Sequence, residues 1–183
     1  GSEMCIRDSL TTDFTPATGT IGEAGQIGAT TGGINFTAIP TYTDFGEDID
    51  NCPKNMKELK RIEAWEVKMA GTFVNASTAI AKSLCGAADV GTSDGKVTPR
   101  NDLSDADFAD IWLVGDYSDK NGDKNGGFIA IHLMNALSTG GFQLKTSDKA
   151  KGQFAFEYTA HYSMSEQDTV PFEIYIKAGT AEA

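Results

Sequence analysis

The chain is poor in the residues that most catalytic and metal chemistry needs. Its 183 residues include two histidines and three cysteines. His132 and His161 each fall within a strand-like run, and neither has a second histidine at metal-ligand spacing. Both read as ordinary strand residues. Cys5, Cys52 and Cys85 are odd in number and make no CxxC pair. Reduced thiols are expected, not a disulfide framework or a zinc knuckle. GxSxG, HExxH, P-loop and GxGxxG patterns are all missing. The chain therefore reads as a non-enzyme with no cofactor and no metal. No apolar run approaches the ~18 residues of a membrane-spanning helix, and no apolar stretch near the N-terminus suggests a secretory signal. No basic run exceeds two residues, and 26 acidic against 15 basic side chains leave a net charge of −11. Such a chain lacks the cation clusters that grip nucleic acid or anionic membranes.

What is present is globular. Hydrophobic residues make up 40% and charged residues 22%, which suits one domain with its own core. Twenty glycines with few helical stripes imply many turns and hence many strands.

Residues 1–24 are set apart as an N-terminal arm, of which Gly1–Ser9 (GSEMCIRDS) reads as a tag scar or artefact. Residues 25–183 form the domain. Ile34, Phe36 and Ala38 alternate on one face until Pro40 interrupts. Lys57–Val74 is one long strand, with Trp65, Val67 and Met69 on one face and a bulge expected near Glu63, because Ile62 falls out of phase. Residues 75–86 form the one helix, with Asn75 or Ser77 as its cap and Ile80 and Leu84 stacked four residues apart. Gly86 stands where a left-handed terminus is wanted. Residues 87–95 read as a loop before a short extended piece, Val97–Pro99. Ile111–Val114 is an apolar run typical of a strand buried on both faces. Residues 118–127 form a hairpin tip and Phe128–Leu137 returns. Phe142–Thr146, Gln153–Met164 and Phe172–Ile176 complete the set. In Gln153–Met164, Phe154, Phe156, Tyr158, Ala160 and Tyr162 share one face. About eight strands joined by short turns predict a mostly β, antiparallel sandwich or barrel-like sheet pair with one flanking helix.

Two features remain as candidate sites. The long loop 44–56 carries Phe45 and Ile49 among Glu47, Asp48 and Asp50. Apolar side chains between acids suit a loop that docks on a partner; the alternative is a loop folded back on its own sandwich. Asp119, Asn121 and Asp123 alternate as at the start of a calcium loop. Lys124 stands where that loop needs Gly, and Ala130 where it needs a bidentate Glu. A plain hairpin tip is favoured, and calcium is the lesser reading. The remaining acids, Asp102, Asp105, Asp107 and Asp110, read as a solvated or interface-facing run.

From about residue 25 onward the chain resembles tail tube proteins (major tail proteins) of bacteriophages. The resemblance is carried by Gly28–Ile34 (GATTGGI), Tyr42–Asn51 (YTDFGEDIDN) with Lys57–Lys60, Trp65–Ala88, Val97–Arg100 with Asp110–Val114, Asn135–Phe142, and Gly152–Phe156 leading to Asp168–Phe172. It implies a β-sandwich flanked by a helix, hexameric rings stacked into a hollow tube, and two hairpins per subunit lining the lumen. Loop 44–56, with Phe45, Glu47, Asp48, Ile49 and Asp50, would contact neighbouring subunits. The tape-measure protein would fill the lumen first and DNA would pass later without specific binding. Tail terminator and distal tail proteins are further implied partners, with no membrane binding by this chain. The place is the virion tail, assembled in the bacterial host cytoplasm. The lumen-facing candidates are Lys145, Gln153, Glu157 and Thr159, with part of Ile34–Thr43 and Lys57–Phe73; an acidic wall would repel phosphate. A non-contractile long tail is favoured over the inner tube of a contractile tail or a phage-derived injection particle. A calcium-supported β-sandwich binding module is the alternative from another class; it predicts a stable monomer with calcium-dependent melting.

Overall fold

A computed structural model describes residues 7–18, 20–21, 26–117, 127–150 and 152–177. The strands are β1 (Arg7–Thr11), β2 (Phe14–Thr15), β3 (Thr20–Ile21), β4 (Gln26–Gly28), β5 (Thr30–Asp44), β6 (Lys60–Phe73), β7 (Ala88–Val90), β8 (Val97–Pro99), β9 (Ala109–Tyr117), β10 (Gly127–Ser138), β11 (Gln143–Lys145), β12 (Gln153–Thr159) and β13 (Phe172–Lys177). The helix α1 spans Thr78–Cys85, between β6 and β7. Every strand pair is antiparallel. The fold class is the one the sequence predicts: mostly β, antiparallel, with one flanking helix.

The main sheet follows the path β4–β1–β9–β10–β12–β6–β5, with β11 beside β12 and β13 beside β10. Only Ala29 separates β4 from β5. The two ends of the path are therefore one stretch of chain, and the sheet turns back on itself as a barrel-like sandwich. Asn75 fixes this seam. Its side-chain carbonyl accepts from the Ala29 N–H at 2.9 Å, while the Ala29 carbonyl accepts from Val74 N–H at 2.9 Å. One wall is β13–β10–β9–β1–β4 and the other is β5–β6–β12–β11.

Period-two alternation sets the core between them. Val67, Met69 and Phe73 of β6 meet Phe156 and Tyr158 of β12, with Ile111 and Leu133 from the opposite wall. Helix α1 covers one flank with Ile80 and Leu84, both fully buried and each contributing about 1.5–3 kcal/mol. Ser77 is its cap, accepting from the Ile80 N–H at 3.1 Å. Tyr158 buries its hydroxyl against Ser83 at 2.6 Å, so the polar end of a core ring keeps a partner.

Several expectations shift for identifiable reasons. The bulge stands at Glu63: Thr41 pairs Ala64 and Tyr42 pairs Ile62, which leaves Glu63 extra. Pro40 does not interrupt its strand. The Trp65 N–H opposite it points away from β5 to the Tyr162 hydroxyl. Pro40 thus occupies a non-hydrogen-bonded site, and its missing N–H would have faced the free edge. β12 ends at Thr159, not at Met164, because Ala160 then donates to Val67 and His161 to Met134, on two different strands. Residues 88–90, read as loop, pair with β8 as a small hairpin.

The N-terminal segment differs most. The sequence sets residues 1–24 outside the domain, yet β1 lies between β4 and β9, and Leu10 is 1% exposed. Phe14 of β2 covers the outer face of the same wall, packing on Trp112 and Phe128. Leu10→Ala should cost about 2–5 kcal/mol, read as a fall in the urea unfolding midpoint. A change of a few tenths would mean that β1 is not part of the cooperative core.

Candidate functional site

Two surfaces hold the candidate residues: the solvent face of the β5–β6–β12–β11 wall and the tip of its longest hairpin. The wall comes first because it positions the tip. Register fixes which side chains share its outer face. Ala155 pairs Thr72, Glu157 pairs Ala70 and Thr159 pairs Lys68. On the far side of β6, Lys68 pairs Thr37 and Glu66 pairs Ile39. On the far side of β12, Lys145 pairs Gln153. Lys145, Gln153, Glu157 and Thr159 therefore lie on one face, and none of them is buried.

That face is mostly polar and small-residued, with Ile39, 61% exposed, as its large apolar side chain, and its charges balance. Glu66 and Glu157 are set against Lys68 and Lys145. Lys68 sits 2.9 Å from Glu66 and 3.7 Å from Glu157. The hydrogen bond it donates to Glu66, then the two carboxylate charges, raise its pKa above the ordinary lysine value. The pair is exposed, so it orders the face more than it stabilises the fold. The expected acidic wall is thus not what these strands carry; the excess of acids lies on other segments.

β5 and β6 run on past the part of β6 that β12 covers, Lys68–Phe73. The remainder is a two-stranded ribbon. Tyr42 and Ile62 stay exposed on it, and the Lys60 ammonium lies 5.1 Å from the Tyr42 ring centre. At its end the loop is ordered by the Asp44 carboxylate, which accepts from the N–H groups of Gly46 and Asn55, each at 2.9 Å. Phe45 N–H donates to the Leu59 carbonyl at 3.1 Å, and short turns follow at Glu47, Ile49 and Cys52. Asn51 and Asn55 take left-handed backbone conformations, φ 61° and 64°, as asparagine tolerates better than most residues. The loop's hydrogen bonds are made within residues 44–61. Phe45 is 60% exposed and Ile49 52%, with Glu47, Asp48 and Asp50 exposed around them.

Other candidates separate on inspection. Asp119, Asn121 and Asp123 lie outside the described residues. Among the described residues, no three His, Cys, Asp or Glu side chains come together as metal ligands. The run Asp102–Asp110 is not simply solvated. The Asp107 side chain is 2% exposed and binds Arg100 at 2.6 Å; the Ser104 N–H and Arg100 hold its carboxyl below the usual carboxylate range. Asp110 accepts from the Asn135 N–H at 3.1 Å. His132 lies flat on Trp112, ring centres 4.0 Å apart, with Asp110 3.3 Å from Nε2. His161 holds the Asn135 carbonyl through Nδ1 at 3.0 Å. His132 is a strand residue of β10, as the sequence reads it; His161 is not, because it lies just past the end of β12 and serves the backbone at Asn135. What the sequence misses is an apolar pocket beside α1, lined from four separate stretches of chain.

No protein-family model matches the chain, and a comparison with curated proteins gives no match.

The loop's anchor carries a pH prediction. The N–H groups of Asn55 and Gly46 hold the Asp44 carboxyl below the usual carboxylate range. The ordering it supplies is therefore complete at neutral pH and is lost only as pH falls through that lowered value. The Gly46 and Asn55 amide resonances should move together at a pH below ~3.9, and Asp44→Asn should abolish that joint step. Independent movement of the two amides would refute a shared anchor.

Proposed function

We propose that the chain is a structural tail tube protein of a bacteriophage. Copies associate into hexameric rings, the rings stack into a hollow tube, and DNA passes through the lumen without specific binding. The tail is a long, non-contractile one, and the tape-measure, tail terminator and distal tail proteins are its partners. The family name comes from the resemblance of residues 25–183, and catalysis has no part in the role.

The single observation that supports this function best is the outer face of the β5–β6–β12–β11 wall. It is mostly polar, with Lys68 engaged by two carboxylates. Holding DNA requires free cations at phosphate spacing, and this face offers none of its own lysines to that task except Lys145. The wall is bounded by β5, an edge strand of 15 residues whose outer side has no strand partner among the described residues. An open edge of that length is a template for another chain. Pairing with a second copy would cover it and extend the face into a lining.

Electron microscopy of the purified protein at rising concentration tests this. Tubes or stacked rings of constant width are expected without any added partner. A monodisperse monomer at every concentration would overturn the proposal.

A further inference from the structure

The structure carries an apolar knob and an apolar hole that its own fold keeps apart. The hole is an open pocket of about 270 Å³ beside α1, lined mainly by Ala76, Ile80, Ala81, Val97, Phe142 and Phe154. Two hydroxyl residues, Ser77 and Thr78, also line it; Ser77 is engaged as the helix cap, and the rest of the wall is apolar side chain apart from Gly95, so the pocket favours an apolar occupant. A dry cavity of about 150 Å³ suffices for a benzene ring; this one has room for an aromatic side chain and part of an aliphatic one. Phe142 is left half-exposed at its mouth.

The knob is Phe45, with Ile49 beside it on the loop. Both are exposed on a tip whose backbone is pinned by the Asp44 carboxylate and by the Phe45–Leu59 hydrogen bond. The tip cannot reach the hole of its own chain. Phe73, which ends β6, pairs with the pocket residue Phe154, whereas Phe45 lies beyond the opposite end of the same strand. β6 has 14 residues, roughly 45 Å at ~3.3 Å per residue.

Charge agrees with the match. Glu47, Asp48 and Asp50 surround the knob. The charged neighbours in sequence of the pocket's lining residues are Lys82, Lys96 and Asp94, a basic excess. A knob and a hole on different parts of one surface make a heterologous contact, which propagates instead of closing as a two-fold pair.

We infer that the pocket beside α1 receives Phe45, with Ile49 at its rim, from the hairpin tip of a second copy of this chain. The inference rests on the self-association proposed above and assigns its contact. It makes the displacement between successive copies along the strand direction close to the length of β6, about 45 Å.

Photo-crosslinking from a Phe45→p-benzoylphenylalanine variant, mixed with the wild-type full chain, tests the contact directly. The expected product is an intermolecular adduct on the peptides holding residues 76–81 or 142–154, formed only where assemblies form. Phe45→Ala should raise the concentration needed for assembly at least about tenfold, with unchanged thermal unfolding. Ala81→Phe, which fills the hole from its own wall, should do the same. Tubes that form with adducts elsewhere, or with none, would overturn this contact and leave the tube intact as a function. An adduct within one chain would overturn it too. Absence of any self-association would overturn both.

Discussion

The bend of β10 at Asn135 is the constraint on which both walls depend. Before it, residues 128–133 pair with β13 along one edge; after it, Leu137 and Ser138 pair with β12. One strand thus serves two walls, and it can do so only by turning. Asn135 takes φ 50°, a left-handed conformation that costs asparagine less than a branched residue. The turn would strand polar backbone groups inside the fold if they had no partners. Each has one. The Asn135 N–H donates to Asp110, and its carbonyl is met by His161 Nδ1. Its side-chain NH₂ donates to the His161 carbonyl. Met134 N–H donates to the Pro171 carbonyl, and the Met134 carbonyl accepts from His161 N–H. His161 is therefore placed by the fold's need to satisfy a bend.

That bend also decides the shape of the far wall. Because β12 leaves its ladder at Thr159, β6 has a strand neighbour on that side only over Lys68–Phe73. The remainder of the β5–β6 pair has to stand as a ribbon. Its free edge is what allows Pro40 to sit mid-strand, since a proline opposite Trp65 would be excluded if both sides of β5 were paired. The same ribbon carries Phe45 away from the core that would otherwise cover it. The exposed tip and the buried centre are thus two consequences of one strand's change of direction.

The alternation of β12, the helix stripe and the bulge were legible because each is written in consecutive residues. Glu63 betrays itself by putting Ile62 out of phase with Trp65. β1 was not legible: Arg7–Thr11 offers one apolar side chain, and Leu10 is buried by partners more than 100 residues away, at Leu113. The hairpin of β7 and β8 is similarly short, with three residues in each strand. Of the candidate site, the tip could be suspected from Phe45 and Ile49 between acids. The shared face of Lys145, Gln153, Glu157 and Thr159 followed from period two. The pocket could not be foreseen, since Ala76, Val97, Phe142 and Phe154 meet only through the fold. Net charge misled for the same reason. A sum over the chain carries no address, and the sheet face at issue holds its acids and lysines in balance.

Charge and shape together limit how such copies could associate. A chain with a net charge of −11 repels its own kind. At physiological salt that repulsion is screened beyond ~8 Å, so it opposes the last step of approach more than the encounter. Whatever offsets it has to act at contact distance. Backbone pairing along β5 does so, and so does removal of apolar surface from water. Hydrogen bonds along a strand edge, however, exchange for bonds to water and contribute modestly each. They also tolerate a slip in register where the faces are small and polar, as they mostly are on this wall. A rigid aromatic knob does not slip, because it fits one hole. On the assembly proposed above, edge pairing would supply extent and the knob would supply register. The acidic residues around the tip would then favour the pocket whose lining is flanked in sequence by Lys82 and Lys96 over an apolar patch set among acids.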